Sequence, residues 1–137
     1  MNNQIIHKLK TFFATDRRVK FAYLFGSAAR GSAGPLSDLD IAVFLDGRFD
    51  RFYCRLKIME SLARATKTER FDLVVLNDAT PLLCQEVIKA GIVLKEDRPR
   101  RVMFESRAVR EFLDTAYLRE IRCQYVKDKA LRGEFLG

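Results

Sequence analysis

Histidine and cysteine are scarce in this chain. Among 137 residues there is one histidine, His7, and there are three cysteines, Cys54, Cys84 and Cys123. The cysteines are odd in number and far apart, so they match neither a disulfide framework nor the spacing of zinc ligands. We expect them to be small core residues of a cytoplasmic protein. A mechanism that needs clustered cysteines or histidines is therefore not indicated.

Long apolar runs are also missing. No stretch approaches the ~20 apolar residues of a membrane span, and the N-terminal residues 1–5 lack the charged and apolar regions of a signal peptide. Hydrophobic residues nevertheless make up 48% of the chain, which favours a packed core over disorder. We expect one folded domain without a membrane segment.

The net charge of +7 is concentrated at the two ends of the chain. Residues 1–20 carry +4 and residues 97–137 carry +3, whereas residues 21–96 are neutral. Basic ends of this kind suit nucleic acid, a protein partner, or solubility alone. Because the Lys and Arg residues are not interleaved with aromatic residues, direct nucleic-acid binding is the least favoured of the three.

The stretch from residue 26 to residue 40 is the part of the sequence that indicates chemistry. A Gly-, Ser- and Ala-rich loop follows an apolar run, and its backbone can approach a ligand closely. The next strand begins with Asp38 and Asp40, which leave the same face because side chains alternate along a strand. Two neighbouring carboxylates repel each other unless a cation lies between them, and a divalent metal ion would meet that need. An ordinary turn with solvated aspartates is the alternative.

Gly26-Ser27, followed after ten residues by Asp38-Leu39-Asp40, resembles the signature of the nucleotidyltransferase superfamily that includes the DNA polymerase beta palm. The loop is not a P-loop, since it lacks the Gly-Lys-Ser/Thr ending. The short chain is similar to the minimal members, the MNT-domain antitoxins paired with HEPN ribonuclease toxins. The resemblance implies an α/β (α+β) fold with a mixed sheet of four to five strands flanked by helices. The resemblance covers roughly the first two thirds of the chain, and we expect a nucleotidyltransferase core, residues 1–97, followed by a C-terminal helical extension of the same domain, residues 98–137, which is indicated by its long helical pattern.

The resemblance also assigns roles to residues. The implied catalytic and metal-binding residues are Asp38, Asp40 and Asp72, and the implied nucleotide-binding residues are Gly26, Ser27, Arg30 and Ser37. The carboxylates would hold two Mg²⁺ ions, and Asp72 would also accept the proton of the attacking hydroxyl. Arg30 would either contact phosphate or brace the loop. Without the resemblance, Asp72 would be interpreted as a solvent-facing residue at the start of an apolar strand.

The activity implied by the resemblance is transfer of AMP from ATP to a tyrosine of the cognate HEPN toxin, which silences that toxin. Larger members of the superfamily carry a second domain that grips the acceptor, and this chain is too short for one. The acceptor would therefore lie on another polypeptide. Two alternatives remain open: a non-catalytic antitoxin that masks its partner sterically, and the catalytic half of a two-chain enzyme acting on a small molecule or RNA.

Hydrophobic periodicity predicts helices over residues 3–14, 50–65, 81–90 and about 99–131. For the second helix we predict a buried stripe and a solvated face. The stripe comprises Phe52, Leu56, Met59, Leu62 and Ala63, and the solvated face comprises Arg51, Arg55, Lys57 and Arg64. Gly91 is predicted to end the third helix as a C-terminal glycine. The last helix, ~50 Å long at 1.5 Å per residue, either wraps its own core, breaks in two, or projects towards a partner or a second copy.

Overall fold

The computed structural model describes residues 3–31 and 38–133. Its centre is a four-stranded sheet in the order β3-β2-β1-β4. The strands are β1 (Val19–Phe25), β2 (Leu39–Leu45), β3 (Phe71–Val75) and β4 (Ile92–Lys95). Strand β1 runs antiparallel to β2 and β4, whereas β2 and β3 are parallel. The mixed sheet predicted from the sequence is confirmed.

Five helices surround the sheet. They are α1 (Asn3–Ala14), α2 (Gly26–Ala29), α3 (Arg51–Thr66), α4 (Pro81–Ala90) and α5 (Arg98–Leu131), and a short 3-10 turn (Leu76–Asp78) follows β3. Two helix starts follow directly from the sequence. The Asp50 side chain caps α3 by accepting from the Tyr53 N–H at 2.8 Å, and Thr80 caps α4 with Pro81 at the first helical position.

Both faces of the sheet are covered by helices. Helices α1 and α3 pack on one face through residues such as Phe13 and Ile58, and α4 and α5 pack on the other through Val87 and Phe104. Strand β2 contributes to both cores by alternation, with Ile41 facing the first and Ala42 facing the second. The strands next to the candidate site are thus held from two sides.

The predicted buried stripe of α3 is partly wrong. Met59 and Leu62 do pack on the core, but Phe52 and Leu56 are exposed. The buried side chains are instead Cys54, Ile58 and Leu62. The helix carries apolar side chains on more than one side, and the row of Cys54, Ile58 and Leu62 at a spacing of four faces the sheet. Arg55 was expected to be solvated, but its Nε donates to the Leu73 carbonyl of β3 at 3.1 Å, which helps to fix this orientation.

Helix α5 is a single unbroken helix of 34 residues, about 50 Å long at 1.5 Å per residue. Its buried residues are Phe104 and Ala108, both in its first third, so the projecting alternative is the correct one. Cys123 is exposed on this helix, whereas Cys54 and Cys84 are buried. The expectation of three core cysteines therefore fails for Cys123. No helix among residues 3–31 and 38–133 is long and apolar enough to cross a membrane.

Hydrogen bonds among three polar side chains attach the first turns of α5 to the sheet. The Tyr23 hydroxyl of β1 donates to Glu105 Oε1 at 2.5 Å, and Arg101 donates to the same oxygen at 2.8 Å. Burial and the neighbouring Glu105 carboxylate raise the pKa of Tyr23. The Phe104 ring lies beside the Phe44 ring, with centroids 5.7 Å apart. Packing and charge together therefore anchor one end of the helix.

Gly91 ends α4 as predicted, but for a different physical reason. Its φ of −73° is not left-handed, so glycine is not required by the backbone conformation. A Cβ at this position would lie 2.4 Å from the Val87 carbonyl oxygen and 3.0 Å from Tyr23 Cδ1. Glycine is therefore needed because a Cβ would collide with the Val87 carbonyl oxygen of the same helix and would also press on the Tyr23 ring.

We expect Gly91→Ala to destabilise the fold by about 1–3 kcal/mol, since overpacking of this size forces the backbone to shift. Gly47→Ala is the matched control, because a Cβ there meets nothing within 4 Å. Urea denaturation of both variants measures the difference. Equal stabilities of the two variants would contradict the close-approach explanation.

Candidate active site

Three carboxylates converge at the start of β2 and β3. In the parallel pairing Asp40 lies directly beside Asp72, and strands so paired are about 4.8 Å apart. Asp38 lies immediately before β2. Burial, followed by the charges of Asp72 and Asp38, raises the pKa of Asp40. The structure thus brings together the three acids proposed from the sequence, with Asp40 at their centre.

Gly26 connects the loop to this carboxylate cluster. It has a φ of +72°, and a Cβ built on it would lie 2.2 Å from Asp40 Oδ2. The contact arises because Phe25, the preceding residue, pairs with Asp40 across β1 and β2. Glycine is therefore required twice, for its left-handed backbone and for the space that the carboxylate occupies. The backbone of the loop and the carboxylate of Asp40 form one continuous surface.

Two of the other predicted nucleotide ligands, Ser27 and Arg30, lie on the same helical turn as Gly26. Ser27 is partly buried in α2, and Arg30 caps that helix, donating its backbone N–H to the Gly26 carbonyl at 3.2 Å. The positive charge of Arg30 opposes the rise in the pKa of Asp40, so its guanidinium is close enough to act on that carboxylate. Helix α2 has four residues, so its dipole contributes little. Ser37 lies outside the described residues.

Arg70 belongs to this cluster and was missed in the sequence. Its Nε lies 3.4 Å from Asp38 Oδ1, and its carbonyl accepts from the Leu39 N–H at 3.0 Å. A signal was available, because Leu39-Asp40-Ile41 and Phe71-Asp72-Leu73 have the same pattern. Aligning these two strand starts in parallel places Arg70 opposite Asp38. The exposed pair contributes little stability, but it orients the Asp38 side chain.

The donor set suits a metal ion that is shared with a ligand rather than enclosed by protein. Among residues 3–31 and 38–133, no three Asp, Glu, His or Cys side chains are grouped so as to hold a metal ion on their own. The raised pKa of Asp40 nevertheless indicates negative charge without full compensation. Magnesium commonly binds one or two carboxylates and completes its shell with water and phosphate oxygens. The residues present fit such an ion.

Residues 7–100 match the protein family described as Polymerase beta, Nucleotidyltransferase. This chain belongs to that family. The match includes every candidate site residue and leaves most of α5 outside it. The four-stranded sheet and its flanking helices are therefore the family fold, and α5 extends beyond the matched region.

One relative and two solved structures show which members of the family this chain is similar to. The chain is 36% identical over 74 residues to the protein adenylyltransferase MntA of Shewanella oneidensis, a match that spans 54% of this chain and 52% of the relative. The chain thus aligns with about half the length of that relative. A solved toxin–antitoxin with AMP-PNP gives a TM-score of 0.74 at 28% identity, covering 93% of this chain and 99% of that one. The MNT antitoxin bound to tri-AMPylated Shewanella oneidensis HEPN toxin gives 0.66 at 26% identity, covering 91% and 94%.

The contact between Gly26 and Asp40 predicts a difference between two glycine substitutions. Gly26 and Gly31 both have left-handed φ values, +72° and +73°, but a Cβ on Gly31 meets nothing within 4 Å. Both alanine variants incur the left-handed backbone cost of about 1–2 kcal/mol. Gly26→Ala must in addition displace Asp40, so we expect it to be less stable than Gly31→Ala by at least about 1 kcal/mol. Equal urea midpoints would show that the carboxylate does not occupy this space.

The raised pKa of Asp40 predicts that its charge opposes folding at neutral pH. This cost disappears as the pH falls through the raised pKa, because the folded chain then binds the proton more readily than the unfolded chain. Without Mg²⁺, Asp40→Asn should raise the melting temperature by about 2–5 °C near pH 7. The gain should shrink as the pH approaches about 4. Glu86→Gln, an exposed change on α4, is the control, and a melting temperature lowered by Asp40→Asn would refute the prediction.

Proposed function

We propose that this chain is a Mg²⁺-dependent nucleotidyltransferase that transfers AMP from ATP to a hydroxyl of a HEPN-type toxin, a tyrosine by preference, and thereby neutralises it. The observation that carries this proposal is the contact of Gly26 with Asp40, flanked by Asp38 and Asp72. It joins a loop suited to phosphate to a set of carboxylates suited to Mg²⁺. The similarity to an adenylyltransferase and to antitoxins in solved complexes supports the nucleotide and the acceptor class.

In this proposal each part of the site has one task. The loop at Gly26 and Ser27, with Arg30 and Ser37, binds the triphosphate of ATP. The carboxylates of Asp38, Asp40 and Asp72 hold Mg²⁺, which when bound neutralises charge on the triphosphate. The acceptor oxygen forms a bond to the α-phosphorus while the bond to the β-phosphate oxygen breaks, and pyrophosphate leaves. Asp72 is more exposed than Asp40, its neighbour across the β2–β3 pairing. It accepts the hydroxyl proton. Catalysis is positioning and charge stabilisation.

The acceptor comes from another polypeptide in this proposal. We assign catalysis to a core of residues 1–97 and contact with the partner to the helical extension, residues 98–137. Within the described residues, α5 is the element that extends beyond the sheet and its covering helices. The reaction takes place in the cytoplasm, where the thiols of Cys54, Cys84 and Cys123 stay reduced.

A label-transfer assay tests the function. The chain is co-purified with the HEPN-type protein encoded beside its gene and incubated with Mg²⁺ and α-labelled ATP. We expect label on the partner, and we expect Asp38→Asn and Asp40→Asn to reduce transfer at least about 100-fold, since each removes charge that stabilises the reaction. Glu86→Gln should transfer normally. Mass spectrometry of the labelled partner identifies the acceptor residue.

Other outcomes distinguish the alternatives. Full transfer by Asp40→Asn would contradict the role of the carboxylates. A stable complex that gives no label with any nucleotide would indicate an antitoxin that acts by masking. Label on RNA or on a small molecule, with none on the partner protein, would indicate the catalytic half of a two-chain enzyme.

A further inference from the structure

The outer surface of α5 carries apolar side chains that the domain does not cover. Five exposed side chains recur at every fourth position and form what we call the α5 row: Val109, Leu113, Tyr117, Ile121 and Tyr125. Side chains four apart form a continuous ridge on a helix. A ridge of this kind packs into the groove of a second helix that crosses at about 50°. The α5 row therefore has the form of one half of a helix–helix contact.

The opposite side of α5 is already satisfied within the chain. Phe104 and Ala108 are buried in the core. Beyond them Arg119 lies over the Phe112 ring, 3.9 Å from its centroid, and donates to the Phe112 carbonyl at 2.8 Å. The inward side chains thus have partners on the domain or on the helix itself. The α5 row is a continuous apolar strip of the helix that the domain leaves uncovered.

A groove at the anchored end of α5 continues this surface. It has a volume of about 620 Å³, and its apolar lining includes Phe44, Val102 and Met103. Arg107 and Arg110 also line it, and within the described residues neither forms an ion pair. Apolar side chains bordered by unpaired guanidinium groups suit a partner that is apolar at the contact and acidic around it.

The positive charge of α5 makes a second copy of this chain an unfavourable partner for the α5 row and the groove. The helix contains nine Lys and Arg but five Asp and Glu, so two copies side by side would repel each other. A coiled coil through Leu118, Ile121 and Tyr125 is also disfavoured by the sequence pattern. Extending the Leu118, Ile121 and Tyr125 spacing as a heptad places Asp114 and Asp128 at seam positions, where apolar residues are required.

The groove lies on the sheet face that carries the candidate active site. Asp40, Ala42 and Phe44 alternate onto one face of β2. Phe44, in the groove, is about 13 Å from Asp40 along the strand at ~3.3 Å per residue. A molecule seated on α5 and in the groove would therefore reach the side of the sheet on which transfer is proposed.

We propose that the α5 row and the groove form the docking surface for a helical protein with an acidic face, the HEPN-type toxin of the proposed function, on which this inference depends. A helix of that partner crosses the α5 row obliquely. Its acidic residues pair with Arg107 and Arg110. The acceptor hydroxyl is thereby delivered to the carboxylate cluster.

Two double variants with matched exposure test the surface. Tyr117→Asp/Ile121→Asp changes side chains that are 70% and 47% exposed, and Phe52→Asp/Leu56→Asp on α3 changes side chains that are 72% and 47% exposed. We expect the α5 variant to weaken binding of the co-encoded HEPN-type protein at least about 30-fold, since it places charge in the contact and faces an acidic partner. The α3 variant should bind within about threefold of the unchanged chain. Affinity for a non-hydrolysable ATP analogue should be unchanged in both.

The outcomes separate this inference from the proposed function. Undiminished binding by the α5 variant, or equal losses in both variants, would overturn the docking surface even where label transfer is intact. Self-association of the chain that is abolished by the α5 variant would assign the surface to a second copy. If the unchanged chain does not bind the HEPN-type protein, that protein is not the partner of this surface. Binding that depends on α5 without label transfer would keep the surface and refute the proposed catalysis.

Discussion

Parallel pairing of β2 with β3 is the constraint on which the site depends. It places Asp40 beside Asp72, although like charges at this distance oppose each other. The pairing is maintained by cores on both faces of the sheet. It is extended by Asn77, whose side chain accepts from the Leu45 N–H at 2.8 Å and donates to the Leu45 carbonyl at 3.1 Å. Folding free energy thus holds together negative charges that a bound cation would stabilise.

The carboxylate pair could be found in the sequence because it depends on local geometry alone. Alternation along a strand puts Asp38 and Asp40 on one face wherever that strand lies. The contact between Gly26 and Asp40 could not be found in this way. It requires the register of β1 against β2, which pairs Phe25 with Asp40 across the connecting segment. The sequence supplied the residues of the site, and the tertiary pairing supplied their contacts.

The outward faces of the helices were harder to predict. In α3 apolar side chains lie on more than one side, so periodicity alone did not show that Cys54 is buried and Phe52 exposed. Gly91 shows the same limit in part, because a Cβ there would meet the Val87 carbonyl oxygen of its own helix and also the Tyr23 ring on another strand. Helix ends were predictable where a cap is local, as at Asp50 and Thr80.

The anchoring of α5 at one end makes it a lever. Glu105 is fixed to Tyr23, and the helix continues from there to Leu131 for about 39 Å at 1.5 Å per residue. A tilt of about 5° at the fixed end moves the tip by about 3 Å over that length. Contacts near the tip can therefore strengthen the binding of a partner but define its position poorly. Contacts near Phe44 and Met103 hardly move. A bound molecule would be aligned to the sheet by the groove and merely retained by the distal turns.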